Sequence, residues 1–189
     1  MTFHLETERL IIRNWRDSDR ELFHEINSDP RVMEYFPFIR DRLQSDELMQ
    51  RLRNSIDAEG FGFTAMELRE TGECLGFCGL ARTNIEGLPS GMVEIGWRLA
   101  VRHWGKGYVS EAARSLLEFG FTTLDLEEIV SFAVFDNFRS IAVMRRIGMT
   151  PDPQRDFDHP RVPDTHPHLK RHVLYRLSAQ DWRQRKRAD

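Results

Sequence analysis

Residues 102–109 read Arg-His-Trp-Gly-Lys-Gly-Tyr-Val and stand immediately before a helical pattern. Backbone N–H groups in the first turn of a helix have no partner inside the helix, and that end carries partial positive charge. Glycine at positions 105 and 107 lets an anion approach the backbone, because no Cβ stands in the way. This stretch therefore predicts a site for a phosphorylated ligand.

The loop does not match the common nucleotide motifs. A P-loop requires Ser or Thr after Gly-Lys, whereas Gly107 follows Lys106 here. A dinucleotide fingerprint requires a third glycine where Ser110 stands, and a βαβ unit that this part of the chain lacks. We therefore expect a backbone cradle for phosphate, with Lys106 as a mobile positive charge.

The metal-ligating residue types do not form a recognisable motif. Four of the seven histidines lie close together in sequence: His159, His166, His168 and His172. No pair has the spacing of a helical zinc motif, and the only cysteines, Cys74 and Cys78, lie far away. We predict no metal, and we interpret the cysteines as two buried thiols on one face of a strand, typical of a reducing compartment.

Hydrophobic periodicity predicts the elements that position the glycine loop. The loop lies between a strand at 92–101 and a helix whose apolar residues, from Val109 to Leu124, recur at spacings of three and four. The other predicted elements are strands at 9–13, 61–68, 74–80, 128–134 and 172–177, and helices at about 20–29, 45–60 and 137–148. Residues 31–40 are irregular and aromatic, and residues 151–168 form a long surface loop. This order predicts an α+β fold with one mixed sheet.

Bulk composition limits the classes of function. The chain has 189 residues, of which 40% are hydrophobic, so we expect a single domain over 1–189 with a substantial core. The formal net charge of −3 gives no electrostatic reason to expect a nucleic-acid partner. No apolar run is long enough to span a membrane, no signal-peptide pattern is present, and the basic run 183–187 reads as a solvated tail. We expect a cytoplasmic protein.

Several motifs, in this order, resemble the GNAT N-acetyltransferases. They are Glu94-Ile95-Gly96-Trp97, the Gly105–Tyr108 loop with Glu111-Ala112-Ala113, and Asn137-Phe138-Arg139-Ser140 followed by Ile147-Gly148-Met149. The opening segment 8–13 and the closing segment 172–177 resemble the RimJ/RimL-type branch of that family. The resemblance implies a GNAT-like fold, with one mixed central sheet, splayed central strands and about four flanking helices. It also implies direct acetyl transfer from acetyl-CoA to a primary amine, either a protein N-terminal α-amine or a small molecule.

The resemblance also assigns residues to acetyl-CoA. Leu99 and Val101 would pair their backbone with pantetheine, and the side chain of Asn137 would bond the same arm. The pyrophosphate would lie on the loop formed by Trp104, Gly105, Lys106, Gly107, Tyr108 and Val109. Two of these depart from the family pattern, which usually has Arg or Gln at the position of Trp104 and Gly or Ala at that of Val109.

The chemistry requires an amine that has lost its proton and a leaving thiolate that is stabilised. Glu94 matches the position of the family's usual base, and Ser140 is the candidate beside the thiolate; Tyr108 or Tyr175 could serve instead of Ser140. An aromatic segment, comprising Tyr35, Phe36 and Phe38, would form a wall of the acceptor cleft, or else pack beneath the helices.

The motifs leave alternatives open. The chain could be a CoA-binding or sensing module without catalysis, or an acyltransferase with a donor longer than acetyl. The acceptor amine is not determined by these residues, and an exposed edge on the last strand could support a homodimer.

Overall fold

The computed structural model describes residues 3–186. Its α-helices are α1 (Arg20–Ser28), α2 (Arg42–Glu59), α3 (Tyr108–Thr122), α4 (Phe138–Arg146) and α5 (Ala179–Arg185). Its strands are β1 (His4–Glu6), β2 (Leu10–Arg13), β3 (Phe63–Leu68), β4 (Cys74–Arg82), β5 (Val93–Leu99), β6 (Glu128–Val134), β7 (Thr150–Pro151), β8 (Phe157–Asp158) and β9 (Arg171–Ser178). The α+β architecture is confirmed.

All the strands belong to one sheet whose order is β1-β2-β3-β4-β5-β6-β9-β7, with β8 also paired to β9. Every neighbouring pair is antiparallel except β5 and β6, which are parallel and in register only at Glu94 and Val130. The hydroxyl of Ser131 adds a bond of 2.9 Å to the carbonyl of Ile95. Beyond this point the two strands separate, which confirms the splayed centre of a mixed sheet.

The helices cover the two faces of the sheet. On β4, Phe77 and Leu80 point to opposite faces, because side chains alternate along a strand. The ring of Phe77 lies on the α1 side, 6.4 Å from Trp15, which in turn contacts Phe23 of α1. Leu80 lies beneath α3, so close that a Cβ on Gly120 would stand 3.1 Å from its Cδ1. The predicted apolar face of α3 is buried in this way.

Three parts of the chain differ from expectation in a way that the structure explains or adds to. Helix α2 begins at Arg42 rather than near Ser45, because Asp41 Oδ1 accepts a bond of 2.8 Å from the N–H of Gln44 and caps the helix. Strand β1 had no sequence signal. The basic run expected as a tail is helical up to Arg185, since Ser178 caps α5, whereas Arg187 lies outside the described residues.

The segment 151–168 is more ordered than a surface loop. It contributes one of the two residues of β7 and all of β8, both paired with β9, as well as a 3-10 turn at 153–155 and the start of another at 167–169. Val162 and Leu169 pack against Val134 at the end of β6. The edge of the last strand, expected to be exposed, is therefore partly covered.

The cysteines are both free, but only Cys78 is buried. The β3–β4 register shifts between Met66 and Glu67, and Gly76 adopts a φ of 143°. This irregularity leaves Cys74 half-buried, so the prediction of two buried thiols is wrong for Cys74. None of the helices described is both long and apolar enough to cross a bilayer.

Candidate active site

The glycine loop precedes α3 and leaves several backbone N–H groups without a partner in the described residues. Gly105 and Gly107 have φ angles of 75° and 81°, in the left-handed region that favours glycine. No other atoms lie within 4 Å of where a Cβ on Gly105 would stand. Within residues 3–186 the N–H groups of both glycines donate no backbone hydrogen bond, and those of Tyr108 and Val109 belong to the unpaired first turn. The loop therefore presents donors, with Lys106 exposed beside them.

An ion-pair network that sequence reasoning missed braces this loop. Glu111, in the first turn of α3, accepts bonds from the Thr7 hydroxyl (2.6 Å), the Arg9 N–H (2.8 Å) and Arg9 Nε (2.7 Å). Arg9 Nη1 donates to the carbonyl of Lys106 at 3.1 Å, and the guanidinium lies 4.7 Å from the centroid of Tyr108. These bonds lower the pKa of Glu111 against the opposing effect of burial. Arg9 and Glu111 both lie in segments that resemble the GNAT family, and this resemblance was the only sign of the network in the sequence.

Trp104 lies between the loop and the splayed strands. Its indole N–H donates to the carbonyl oxygen of Leu99 at 3.0 Å, and the Arg139 guanidinium lies 4.7 Å from its ring centroid. The backbone of Leu99, predicted to pair with pantetheine, therefore already accepts one bond from its own chain. Val101, the other predicted partner, begins a 3-10 turn and is half-buried.

Asn137 and Ser140 lie at the start of α4. Asn137 Oδ1 accepts a bond of 3.1 Å from the N–H of Ser140 and caps the helix, which leaves the Asn137 amide N–H groups available to a ligand. The Ser140 hydroxyl forms no hydrogen bond within residues 3–186 and is half-buried. Tyr175, the alternative to Ser140, is buried and accepts a bond of 3.2 Å from Arg145 Nε.

Glu94 stands where β5 and β6 part. Its carboxylate has no hydrogen bond or ion pair to any residue in the described range, and Arg98, a conceivable partner, bonds Asn27 instead. Burial raises the pKa of Glu94 to about 7, against a smaller opposing effect from the positive charge of Arg161. A carboxyl group with such a pKa, partly open to solvent, is suited to accept a proton near neutral pH.

The aromatic segment between α1 and α2 lies over the same side of the sheet, and each predicted ring carries a guanidinium on its face. The distances from guanidinium carbon to ring centroid are 5.9 Å for Arg139 on Tyr35, 4.3 Å for Arg98 on Phe36 and 4.4 Å for Arg40 on Phe38. Phe36 and Phe38 are exposed, whereas Tyr35 packs against the cluster of Val134, Val162 and Leu169 and donates a bond of 3.3 Å to the carbonyl of Asp136.

A second aromatic group lies where β6, β8 and β9 meet. Phe132, Phe157, His159 and His172 form one aromatic cluster, with the rings of Phe157 and His172 stacked at 5.5 Å. Burial and the neighbouring His172 lower the pKa of His159 to about 4, so this histidine is neutral at physiological pH. In the described part of the chain, no three His, Cys, Asp or Glu side chains are grouped so as to hold a metal ion.

The predicted site residues lie on, next to or just after the two strands that part, β5 and β6. Glu94 and the aromatic segment lie on the α1 side of β5, while the glycine loop leads into α3 on the other side. Asn137 and Ser140 follow β6. A separate cavity of about 560 Å³, lined by Arg13, Asp19, Glu67 and Arg102 among others, includes none of these site residues, and its buried charges pair with one another.

Comparison with known proteins agrees with this geometry. Residues 9–150 match the family described as the acetyltransferase (GNAT) domain. The uncharacterized N-acetyltransferase p20 of Bacillus licheniformis is 33% identical over 147 residues, covering 76% of this chain and 80% of that protein. The FsC-acetyl coenzyme A-N(2)-transacetylase of Aspergillus fumigatus is 30% identical over 154 residues, covering 77% of this chain and 64% of that protein.

Solved structures show the same fold. An acetyltransferase from Agrobacterium tumefaciens superposes with a TM-score of 0.73 at 30% identity, covering 92% of this chain and 93% of that one. A GNAT-family acetyltransferase from Bacillus anthracis superposes with a TM-score of 0.77 at 24% identity, covering 94% and 99%. The chain described here belongs to the GNAT acetyltransferases and is an acyltransferase.

Proposed function

We propose that this acyltransferase uses acetyl-CoA to acetylate a primary amine, and that it belongs to the RimJ/RimL-type branch. The observation that carries the proposal is the carboxylate of Glu94, unpaired within residues 3–186, at the point where β5 and β6 part, with the free backbone donors of the glycine loop following β5.

The residues at the glycine loop fit acetyl-CoA. Gly105 and Gly107 keep the loop free of side chains where a pyrophosphate would contact the backbone, and Lys106 adds positive charge. The amide of Asn137 and the backbone of Leu99 and Val101 would hold the pantetheine arm. When bound, acetyl-CoA supplies an activated acetyl group as a thioester.

Glu94 and Ser140 supply the acid–base and hydrogen-bonding chemistry of the transfer. Glu94, directly or through a water molecule, accepts the proton that the amine loses as its nitrogen forms a bond to the acetyl carbon and the carbon–sulfur bond breaks. The Ser140 hydroxyl donates a hydrogen bond to the departing thiolate. The raised pKa of Glu94 favours this transfer at neutral pH, because base strength and ionised fraction are then balanced.

The branch assignment rests on the opening and closing segments of the sequence. A ribosomal-protein-serine acetyltransferase from Vibrio cholerae and a ribosomal-protein-S5-alanine acetyltransferase from Vibrio fischeri share the fold, with TM-scores of 0.74 and 0.72. Their identities to this chain are only 18% and 17%, so this likeness concerns the fold alone.

The test combines calorimetric titration of acetyl-CoA with release of free thiol in the presence of peptides and small amines. We expect binding, and release that depends on the amine. Glu94→Gln should lower kcat about 100-fold at pH 7 and leave the Kd for acetyl-CoA unchanged, with recovery at high pH, where the amine deprotonates unaided. Glu86→Gln, an exposed glutamate in the loop before β5, is the matched control.

Each result has a distinct meaning. Binding of acetyl-CoA without thiol release on any amine would favour a CoA-sensing module. Preference for a longer acyl-CoA would show that the donor is not acetyl-CoA. Absence of binding would overturn the proposal.

A further inference from the structure

We propose that Arg98 and Arg40 form a subsite for an anionic group on the acceptor, so that the substrate is an amine that also carries a carboxylate. This inference rests on the proposed function, because it concerns the acceptor side of the same site.

Arg98 lies on β5, is half-buried, and has no acidic partner within residues 3–186. Nη1 donates a bond of 2.6 Å to Oδ1 of the fully buried Asn27, and the guanidinium lies between the rings of Phe36 (4.3 Å) and Phe77 (5.4 Å). Within residues 3–186 no carboxylate pairs with it. A single neutral hydrogen bond leaves most of the guanidinium donors unused.

Arg40 adds a second positive charge next to the first. Its backbone N–H donates to the carbonyl of Asn27 at 3.0 Å, so Asn27 holds both arginines in place. The Arg40 guanidinium covers Phe38, is half-buried, and has no ion pair in the described part of the chain. Burial, together with the charge of Arg40, lowers the pKa of Arg98 to about 9.

This arrangement is costly unless an anion occupies it. Two neighbouring guanidinium groups repel each other, and removing a charge from water without a counter-charge is unfavourable. Arg13, the one arginine of the described residues that is buried, is by contrast paired with Asp19 and Glu67. A planar carboxylate matches the guanidinium fork and can accept two parallel bonds.

The position of the pair favours the acceptor over the phosphates of CoA. Arg98 contacts Phe77 on the α1 side of the sheet, whereas α3 and its glycine loop lie on the other face. Arg98 and Glu94 share that α1 face of β5, roughly 13 Å apart along the strand. Between them stands Gly96, covered by the ring of Phe63, whose Cε1 lies 3.0 Å from where a Cβ on Gly96 would stand. An amine carrying a carboxylate would reach from Arg98 to Glu94 along this ring.

Binding of a product-like probe tests the subsite without needing the true acceptor. We would titrate N-acetylglycine, its neutral analogue N-acetylglycinamide, and inorganic phosphate into the CoA-bound enzyme at constant ionic strength. We expect saturable binding of N-acetylglycine, at least about tenfold tighter than the amide, and a loss of at least about tenfold in Arg98→Gln and Arg40→Gln. Arg183→Gln, the same charge change at an exposed position on α5, should bind like the parent enzyme.

Other results would overturn the inference. The carboxylate subsite would be contradicted if N-acetylglycine and N-acetylglycinamide bound equally, or if neither bound. It would also be contradicted if N-acetylglycine bound Arg98→Gln and Arg40→Gln as tightly as the parent enzyme. Saturable binding of phosphate alone would replace the carboxylate with a phosphorylated acceptor.

Kinetics then separate this proposal from the proposed function. Thiol release with the common α-amino acids should exceed release with their amides about tenfold in kcat/KM, and the preference should disappear in Arg40→Gln. Turnover of amides equal to that of acids would contradict the subsite and leave the acetyltransferase intact. Failure of acetyl-CoA to bind would instead contradict the proposed function.

Discussion

The indole nitrogen of Trp104 lies 3.0 Å from the carbonyl oxygen of Leu99, so a side chain of the glycine loop bonds the strand that is proposed to pair with pantetheine. The same indole carries the Arg139 guanidinium on its face, and Arg139 forms an ion pair with Glu34 of the aromatic segment. A chain of contacts therefore links the glycine loop to the aromatic segment.

Trp104→Phe should tighten binding of CoA by about three- to tenfold, because the Leu99 carbonyl no longer has to share its acceptor capacity with the indole. The aromatic face against Arg139 is retained. Calorimetry should detect this with CoA, whereas 3′,5′-ADP, which has no pantetheine arm, should bind both proteins equally. Weaker binding of CoA to the variant would show that the indole bond shapes the site for its ligand.

Gly105→Ala, compared with Gly72→Ala, separates the effect of backbone strain on stability from the effect of a Cβ on CoA binding. The φ of 75° disfavours alanine, so we expect the free energy of unfolding to fall by about 1 kcal/mol. Gly72, in the β3–β4 turn with a φ of 72° and equally open surroundings, is the matched control. Both variants should lose similar stability in urea melts. Only Gly105→Ala should also weaken CoA binding, because its Cβ would lie where the pyrophosphate approaches; equal affinities would remove the cradle from this loop.

The sequence predicted the elements that carry strong periodic patterns, and it missed those formed by tertiary pairing. Helix α3 and its glycine loop were evident because Val109 to Phe121 recur at helical spacing and glycine punctuates the entry. Strand β1 and the short strands β7 and β8 have only two or three residues each, and they exist because β2 and β9 offer them unpaired edges.

For the candidate site, the sequence predicts residue types but not the contacts that those residues make. The motif around Glu94 predicts a carboxylate at this position. Only the folded structure shows that Arg98 bonds Asn27 and that Glu94 has no partner within residues 3–186. No local pattern could place Arg98 on Phe36, because these residues are far apart in sequence and meet only when α1 packs on β5. Long-range side-chain pairs of this kind follow from packing rather than from periodicity.

Asn137→Asp distinguishes the helix cap from a role at pantetheine. Aspartate keeps an oxygen that accepts from the N–H of Ser140, so the melting temperature should change little. It loses the amide donors, and we therefore expect CoA binding to weaken about tenfold. Asn137→Ala removes both functions and should lower stability by about 1 kcal/mol as well. If the aspartate variant bound CoA normally, Asn137 would be only a cap.

Ser140→Ala removes the hydroxyl and preserves the backbone N–H that Asn137 caps. We expect kcat to fall about tenfold with the Kd for acetyl-CoA unchanged, because the thiolate develops only as the thioester breaks. Tyr175→Phe tests the alternative donor; its hydroxyl accepts from Arg145 and is buried, so it should leave kcat nearly unchanged. Stopped-flow thiol release measures both variants, and the reverse ranking would transfer the role to Tyr175.

Glu94→Gln should also change the dependence of stability on pH. Burial raises the pKa of Glu94 from 4.5 to about 7, so the folded protein binds this proton more tightly than the unfolded chain. Its contribution to stability is complete below about pH 4.5 and is lost as the pH rises through 7. Glutamine does not titrate, so the stability of the variant relative to the parent enzyme should increase as the pH rises, by about 3 kcal/mol between pH 4 and pH 8. Urea melts of both proteins across this range measure the difference, with Glu86→Gln showing none. A constant difference at every pH would mean that the Glu94 carboxyl is solvated normally, and would remove the electrostatic basis for its role as the base.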